Sequence, residues 1–104
     1  MKKHREGANI YISGGISGRN KEEVERQFCA AENQLREMLF NPINPLRLTN
    51  TVGLSWEDYM RIDIKALMDC EAICMLNGWE ESKGARLEFH IAQSLGMHVF
   101  FIGI

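Results

Sequence analysis

Long apolar runs are missing from this chain. The longest uninterrupted one is Ala72–Leu76, far below the roughly 20 residues that a membrane-spanning helix needs. The charged opening from Met1 to Gly7 is followed only by Ile10-Tyr11-Ile12, too short for the apolar core of a secretion signal. Neither sign of charge is in excess: 12 Lys and Arg stand against 14 Asp and Glu, for a net charge of −2. That balance lacks the basic footprint of a protein that binds nucleic acid or an anionic membrane. Cysteine is scarce and odd in number. Cys29, Cys70 and Cys74 form no CxxC pair, which points to free, buried thiols in a reducing compartment and away from a disulfide framework or zinc site. The expected location is therefore the cytoplasm. Proline is limited to Pro42 and Pro45, and no internal repeat or low-complexity stretch is present. What remains is 104 residues, 45% hydrophobic and 25% charged, the composition of one compact globular domain.

The pattern along the chain alternates strand and helix. Residues 1–8 read as an N-terminal tail and 9–104 as a single domain. Asn9 to Ser13 is a short β-rich run ending in Gly14-Gly15-Ile16-Ser17-Gly18. Asn20 with Glu23 predicts a capped helix start, and Val24, Phe28, Ala31, Leu35 and Leu39 form its apolar stripe. Ile43-Asn44, between the two prolines, is expected as a brief second strand. Ser55 and Asp58 predict a second capped helix running to about Asp69. Ala72 to Leu76 has the length and composition of a parallel strand covered on both faces. After a loop from Asn77 to Gly84, a third helix is expected over about 85–95, stopped by Gly96. His98 to Ile102 is the last strand. The alternation predicts an α/β fold, a flavodoxin-like (Rossmann-like) three-layer sandwich around about four parallel strands. In such sheets ligands bind beyond the carboxyl ends of the strands, which here carry residues 14–18 and 77–84.

Two acids stand where apolar residues are expected. Asp63 falls inside the stripe Trp56, Met60, Ile64 and Leu67; Glu88 falls inside Leu87, Ile91, Ala92 and Leu95. Carboxylates on apolar faces are costly unless paired or put to use, so the two are candidates for acid/base or nucleophilic chemistry. The alternative is structural: Asp63 pairs with Arg61, Lys65 or a backbone amide, and Glu88 gains from its helix's positive end. The glycine-rich loop, with Ser82 and Gly84 at the third helix's start, offers a place for an anion, although such residues also serve plain turns and caps. Tyr11 lies near the carboxyl end of the first strand. Trp79 either stacks on a base or covers the sheet edge. No metal-ligand spacing or Ser-His-Asp order is present, and no metal or organic cofactor is expected.

Three blocks, Tyr11 to Gly18, Leu54 to Ile64 and Gly78 to Glu88, resemble the DUF4406 family of the nucleoside 2-deoxyribosyltransferase-like superfamily. The likeness runs from about residue 9 to residue 102. The pattern of the superfamily's 2'-deoxynucleoside 5'-monophosphate N-glycosidases is matched by Tyr11, Gly14, Ile16 and Gly18, by the Asp63–Glu71 spacing, and by Ser82, Gly84 and Glu88. The resemblance implies that Glu88 is a nucleophile at the sugar's anomeric carbon, that Tyr11 holds it, and that Asp63 assists the departing base. It also implies that Ser13, Gly14, Gly15, Ile16, Ser17 and Gly18, with Ser82 and Gly84, cradle a 5'-phosphate, with Trp79 a candidate for stacking on the base.

Two departures stand out. Gly15 replaces a proline common in the family, and the chain ends at Ile104, where superfamily enzymes commonly continue and lend a residue to a neighbouring subunit. The pocket is then either completed differently or part of the activity is missing. The expected function is cleavage or exchange of an N-glycosidic bond in a nucleoside or nucleoside 5'-monophosphate; the alternative is a non-catalytic nucleotide-binding regulatory module. The expected partner is that small molecule, with no nucleic acid polymer and no membrane, and a homo-oligomer is the expected assembly.

Overall fold

The computed structural model describes residues 6–104; of the expected tail, residues 1–5 lie outside the described residues. Ala8, by contrast, is fully buried. Four strands and three helices follow: β1 (Asn9–Ser13), α1 (Lys21–Glu37), β2 (Asn41–Ile43), α2 (Trp56–Met68), β3 (Ala72–Met75), α3 (Lys83–Ser94) and β4 (His98–Phe101). All pairings are parallel, in the order β2-β1-β3-β4. The chain steps outward from β1 to β2, then returns past β1 to β3 and β4. The order therefore reverses between β1 and β3, where doubly wound sheets open a crevice for ligands.

Strand alternation sorts the core into two layers. Ile10 and Ile12 of β1, with Cys74 and Leu76, face Val24, Phe28, Ala31 and Leu35 of α1. Tyr11, Ile73 and Met75 face the opposite side, where Leu67 of α2 and Ala85 and Ala92 of α3 cover them. The result is the flavodoxin-like three-layer sandwich.

Local chemistry sets the element ends. Asn20 Oδ1 accepts the Glu23 amide at 3.0 Å, and Ser55 with Asp58 completes a reciprocal capping box on α2. Two helices stop in the same way. Gly96 (φ +70°) ends α3 with Met97 N–H bonded back to Ala92 O, and Leu39 (φ +68°) ends α1 with Phe40 N–H bonded to Leu35 O. Both have the 6→1 closure of a Schellman turn. Leu39, expected on the buried stripe, is thus past the helix and exposed. The second strand also shifts: it includes Pro42, and Asn44 instead caps a 3₁₀ turn at Pro45–Arg47. An edge position tolerates Pro42 because its missing N–H costs no ladder bond on the open side.

The third helix differs from expectation in register. It begins at Lys83, and its buried line is Ala85, Glu88 and Ala92. Leu87 and Leu95, expected inward, are exposed. The small alanines let α3 lie close on the sheet, and this rotation puts Glu88 at the middle of the buried face. Asp63 occupies the same position on α2, between Met60 and Leu67.

Candidate active site

Glu88 is the centre of the site and is only 4% exposed. Its Oε2 accepts a hydrogen bond from the Tyr11 hydroxyl at 2.8 Å and its Oε1 one from the Ser13 hydroxyl at 2.7 Å. Both donors come from alternate positions of β1, a strand flanked by neighbours on both sides, so the carboxylate is clamped by a rigid part of the fold. Burial pushes the Glu88 carboxyl up to about 7, against the pull of the Ser13 and Tyr11 hydroxyls and with a smaller upward push from Asp63. Burial, then Glu88 and Asp63, raise the Tyr11 hydroxyl well above its ordinary value. It therefore keeps its proton and acts as a donor.

Asp63 is 9% exposed and borders the same cleft as Glu88 and Tyr11. Neither expected partner holds it. Arg61 pairs with Asp58 at 3.1 Å, and Lys65 borders a shallow depression on the outer side of α2. Among the described residues Asp63 has no hydrogen bond or ion pair, and burial pushes its carboxyl up to about 7. Two nearby acids in a desolvated site do not both ionise readily. The Tyr11 and Ser13 hydroxyls favour the charged form of Glu88, and Asp63 has no such donor. Such a split in environments is what separates the roles of paired catalytic acids.

The cleft above them has a volume of about 980 Å³, ample for a small organic ligand. Gly14 to Ser17 form one rim, Ser82 to Gly84 a second, and the segment from Thr49 to Leu54 a third. A Cβ on Gly14 would fall 3.1 Å from Leu76 Cβ and 3.3 Å from Phe28 Cζ, so a side chain there would press these neighbours aside by a few tenths of an ångström. Ser82 both caps α3, accepting the Ala85 amide at 3.1 Å, and lines the cleft. Arg19, Lys21 and Lys83 add positive charge to the rim. Just before the third wall, Arg47, the last residue of the 3₁₀ turn, grips buried Glu32 of α1 through two bonds at 2.9 and 3.0 Å.

Three expected ligand contacts lie elsewhere. Ser13 is 1% exposed and spends its hydroxyl on Glu88, which makes it a positioning residue. Gly18 (φ +74°) shapes the turn into α1 and does not border the cleft. Trp79 is packed against Phe89 and Phe101, with ring centroids 4.6 and 6.2 Å away, and also lies outside the cleft. The aromatic groups that do border it, besides Tyr11, are Trp56 and Tyr59. Ser13 had a readable signal, its i, i+2 relation to Tyr11; the third wall, without regular structure, had none. Among the described residues no His, Cys, Asp and Glu cluster suited to a metal ion occurs, and no helix is long and apolar enough to cross a membrane.

A charge-assisted bond of this kind stabilises the anion by about 1.5–3 kcal/mol. Tyr11→Phe is therefore expected to raise the Glu88 pKa further, by about 1 or more, when its carboxyl carbon is titrated by NMR. An unmoved titration would remove Tyr11 from the clamp.

The family described as "Domain of unknown function (DUF4406)" matches residues 8–101. The chain belongs to that family. The fold of this DUF4406 domain is similar to a conserved protein from Enterococcus faecalis V583, with a TM-score of 0.65 and 14% identity over 91% of this chain and 62% of that one. It is likewise similar to a 2-desoxiribosyltransferase from Leishmania mexicana, with a TM-score of 0.61 and 19% identity over 91% of this chain and 63% of that one. At such identities the likeness is one of fold, and the DUF4406 chain spans under two thirds of either neighbour's length. No curated protein matches it.

Proposed function

We propose that this protein cleaves or exchanges the N-glycosidic bond of a nucleoside or nucleoside 5'-monophosphate, with Glu88 as nucleophile. The observation that carries the proposal is the pair of unlike carboxyls on one cleft: Glu88 held by two hydroxyls and Asp63 buried without a partner. The fold likeness to a deoxyribosyltransferase supports it.

The chemistry follows from those environments. Loss of the base builds positive charge at the anomeric carbon. A Glu88 oxygen stabilises that charge and bonds to the carbon as the C–N bond breaks, its electron pair passing to the base nitrogen. The Asp63 proton neutralises the departing base. Water, or a second base, then attacks the same carbon and displaces Glu88, and the proton it sheds returns to Asp63. This is the two-carboxylate scheme of retaining glycosidases. Ser82 and the 14–17 loop, with the basic rim, would receive the 5'-phosphate where one is present.

The test is base release from a panel of ribo- and deoxyribonucleosides and their 5'-monophosphates, followed by chromatography with and without a second free base. Release from at least one, dependent on Glu88, is the expected result. Binding of a monophosphate with no release from any member would favour a non-catalytic nucleotide-binding module instead.

A further inference from the structure

We infer that Trp56, on the first turn of α2, is the platform on which the departing base stacks, and that Lys83 covers this platform until a base displaces it. The inference rests on the glycosyl-transfer proposal above and adds to it the side chain that selects a planar ligand. Trp56, Met60 and Asp63 stand at i, i+4 and i+7 of one helix and so share a face. All three border the cleft. Asp63 addresses the base, so the base lies along that face, and the surface leading from Asp63 toward the start of α2 is Met60 and then the indole. Trp56 and Met60 also border the shallow depression on the outer side of α2. The half-buried indole is therefore a partition between cleft and solvent, with no part in the main core clusters.

Lys83 supplies the second observation. Its Nζ lies 4.1 Å from the centroid of the Trp56 ring. Lys83 borders the cleft but not the outer depression, so its ammonium covers the ring face turned toward the ligand space. No carboxylate pairs with Lys83 among the described residues. A cation on a partly exposed ring is held weakly, whereas a base stacked on an aromatic side chain gains more, with little regard to which base it is. Gly84 makes room for the arrangement: a Cβ there would fall 3.1 Å from Met60 Sδ and 3.8 Å from Trp56 Nε1.

The test uses a Trp79→Phe background, which leaves Trp56 as the sole indole. Adenine and cytosine are titrated against its fluorescence, and KM and kcat for base release are measured in parallel. Both bases are expected to quench the signal. Trp56→Leu, which keeps an apolar side chain but not the aromatic face, is expected to raise KM about tenfold or more with kcat within about threefold, and Trp56→Phe to recover most of the loss. Lys83→Gln removes the competitor and is expected to tighten free-base binding about threefold. Unchanged KM in Trp56→Leu, or no quenching, would overturn the platform; weaker base binding in Lys83→Gln would overturn the placeholder. Quenching without turnover on any nucleotide would instead strike the glycosyl-transfer proposal and leave the platform standing.

Discussion

Glu88→Gln is expected to lower base release by roughly 10⁴-fold or more, as removal of a covalent nucleophile does, while the protein stays folded. Glutamine matches the size of Glu88, and its oxygen still accepts a hydroxyl bond from β1. The hydroxyl of Ser13 can turn to accept from the new amide, since a hydroxyl both donates and accepts. Loss of activity would thus report on chemistry and not on collapse of the cleft, and circular dichroism with thermal unfolding separates the two. Acid-quenched wild-type protein is expected to carry a sugar adduct on the peptide containing Glu88, visible by mass spectrometry. Base release at the wild-type rate by Glu88→Gln would exclude the nucleophile role outright.

The second large effect falls on Asp63 and has two signs. Asp63→Asn is expected to slow base release by about 10²–10³-fold, the usual scale for general-acid assistance, and least for bases that leave readily unprotonated. The same change is expected to stabilise the fold above pH 7. The folded-state pKa of Asp63, about 7, lies above its ordinary 3.8. Between those values the native state binds more protons than the unfolded state, so stability falls as pH rises through this window. Below it the penalty is absent; above pH 7 it is complete. The shift alone corresponds to about 4 kcal/mol, reduced to about 2 kcal/mol because the carboxyl borders an open cleft and is not sealed in the core. Asp63→Asn should therefore raise Tm by about 10 °C at pH 8 and hardly at all at pH 4. A structural ion-pair role would produce the opposite, a loss of stability at neutral pH.

The pH dependence of turnover tests the same division of labour. Activity needs Glu88 charged and Asp63 protonated, so kcat/KM is expected to rise with ionisation of the pair's first proton and fall with loss of its second. Both limbs lie near pH 7 and belong to the pair as a whole. Asp63→Asn is expected to abolish the alkaline limb and leave the acid one.

Much of this was legible before any coordinates. Asn20 and Ser55 announced two helix starts, Gly96 announced a stop, and the apolar run at 72–76 announced a parallel strand, which forms over 72–75. The cleft's position followed from the alternation of strands and helices, because strand ends and helix starts gather on one edge of such a sheet. Asp63 and Glu88 were visible as acids on apolar faces. Ser13 reads as an anion ligand because its hydroxyl stands beside a glycine loop, whereas strand alternation sets it with Tyr11 and its hydroxyl bonds Glu88. Trp79 stayed open between two readings for a different reason, since an indole in a loop carries no mark of which face the fold will cover; the structure packs it against Phe89 and Phe101.

The order of residues alone determined what each segment would become, since caps, periodicity and turn glycines act over a few neighbouring positions. Which side chains would meet was decided only by tertiary packing. Ser13 and Glu88 are 75 positions apart; Trp56 and Lys83 are also far apart along the chain and touch only because α2 and α3 converge at the crevice. The rotation of α3, set by Ala85 and Ala92 seated on the sheet, turned Glu88 inward and left Leu87 and Leu95 to solvent. A modest turn about one helix axis separates a buried carboxylate from a surface one, and no local pattern specifies that angle.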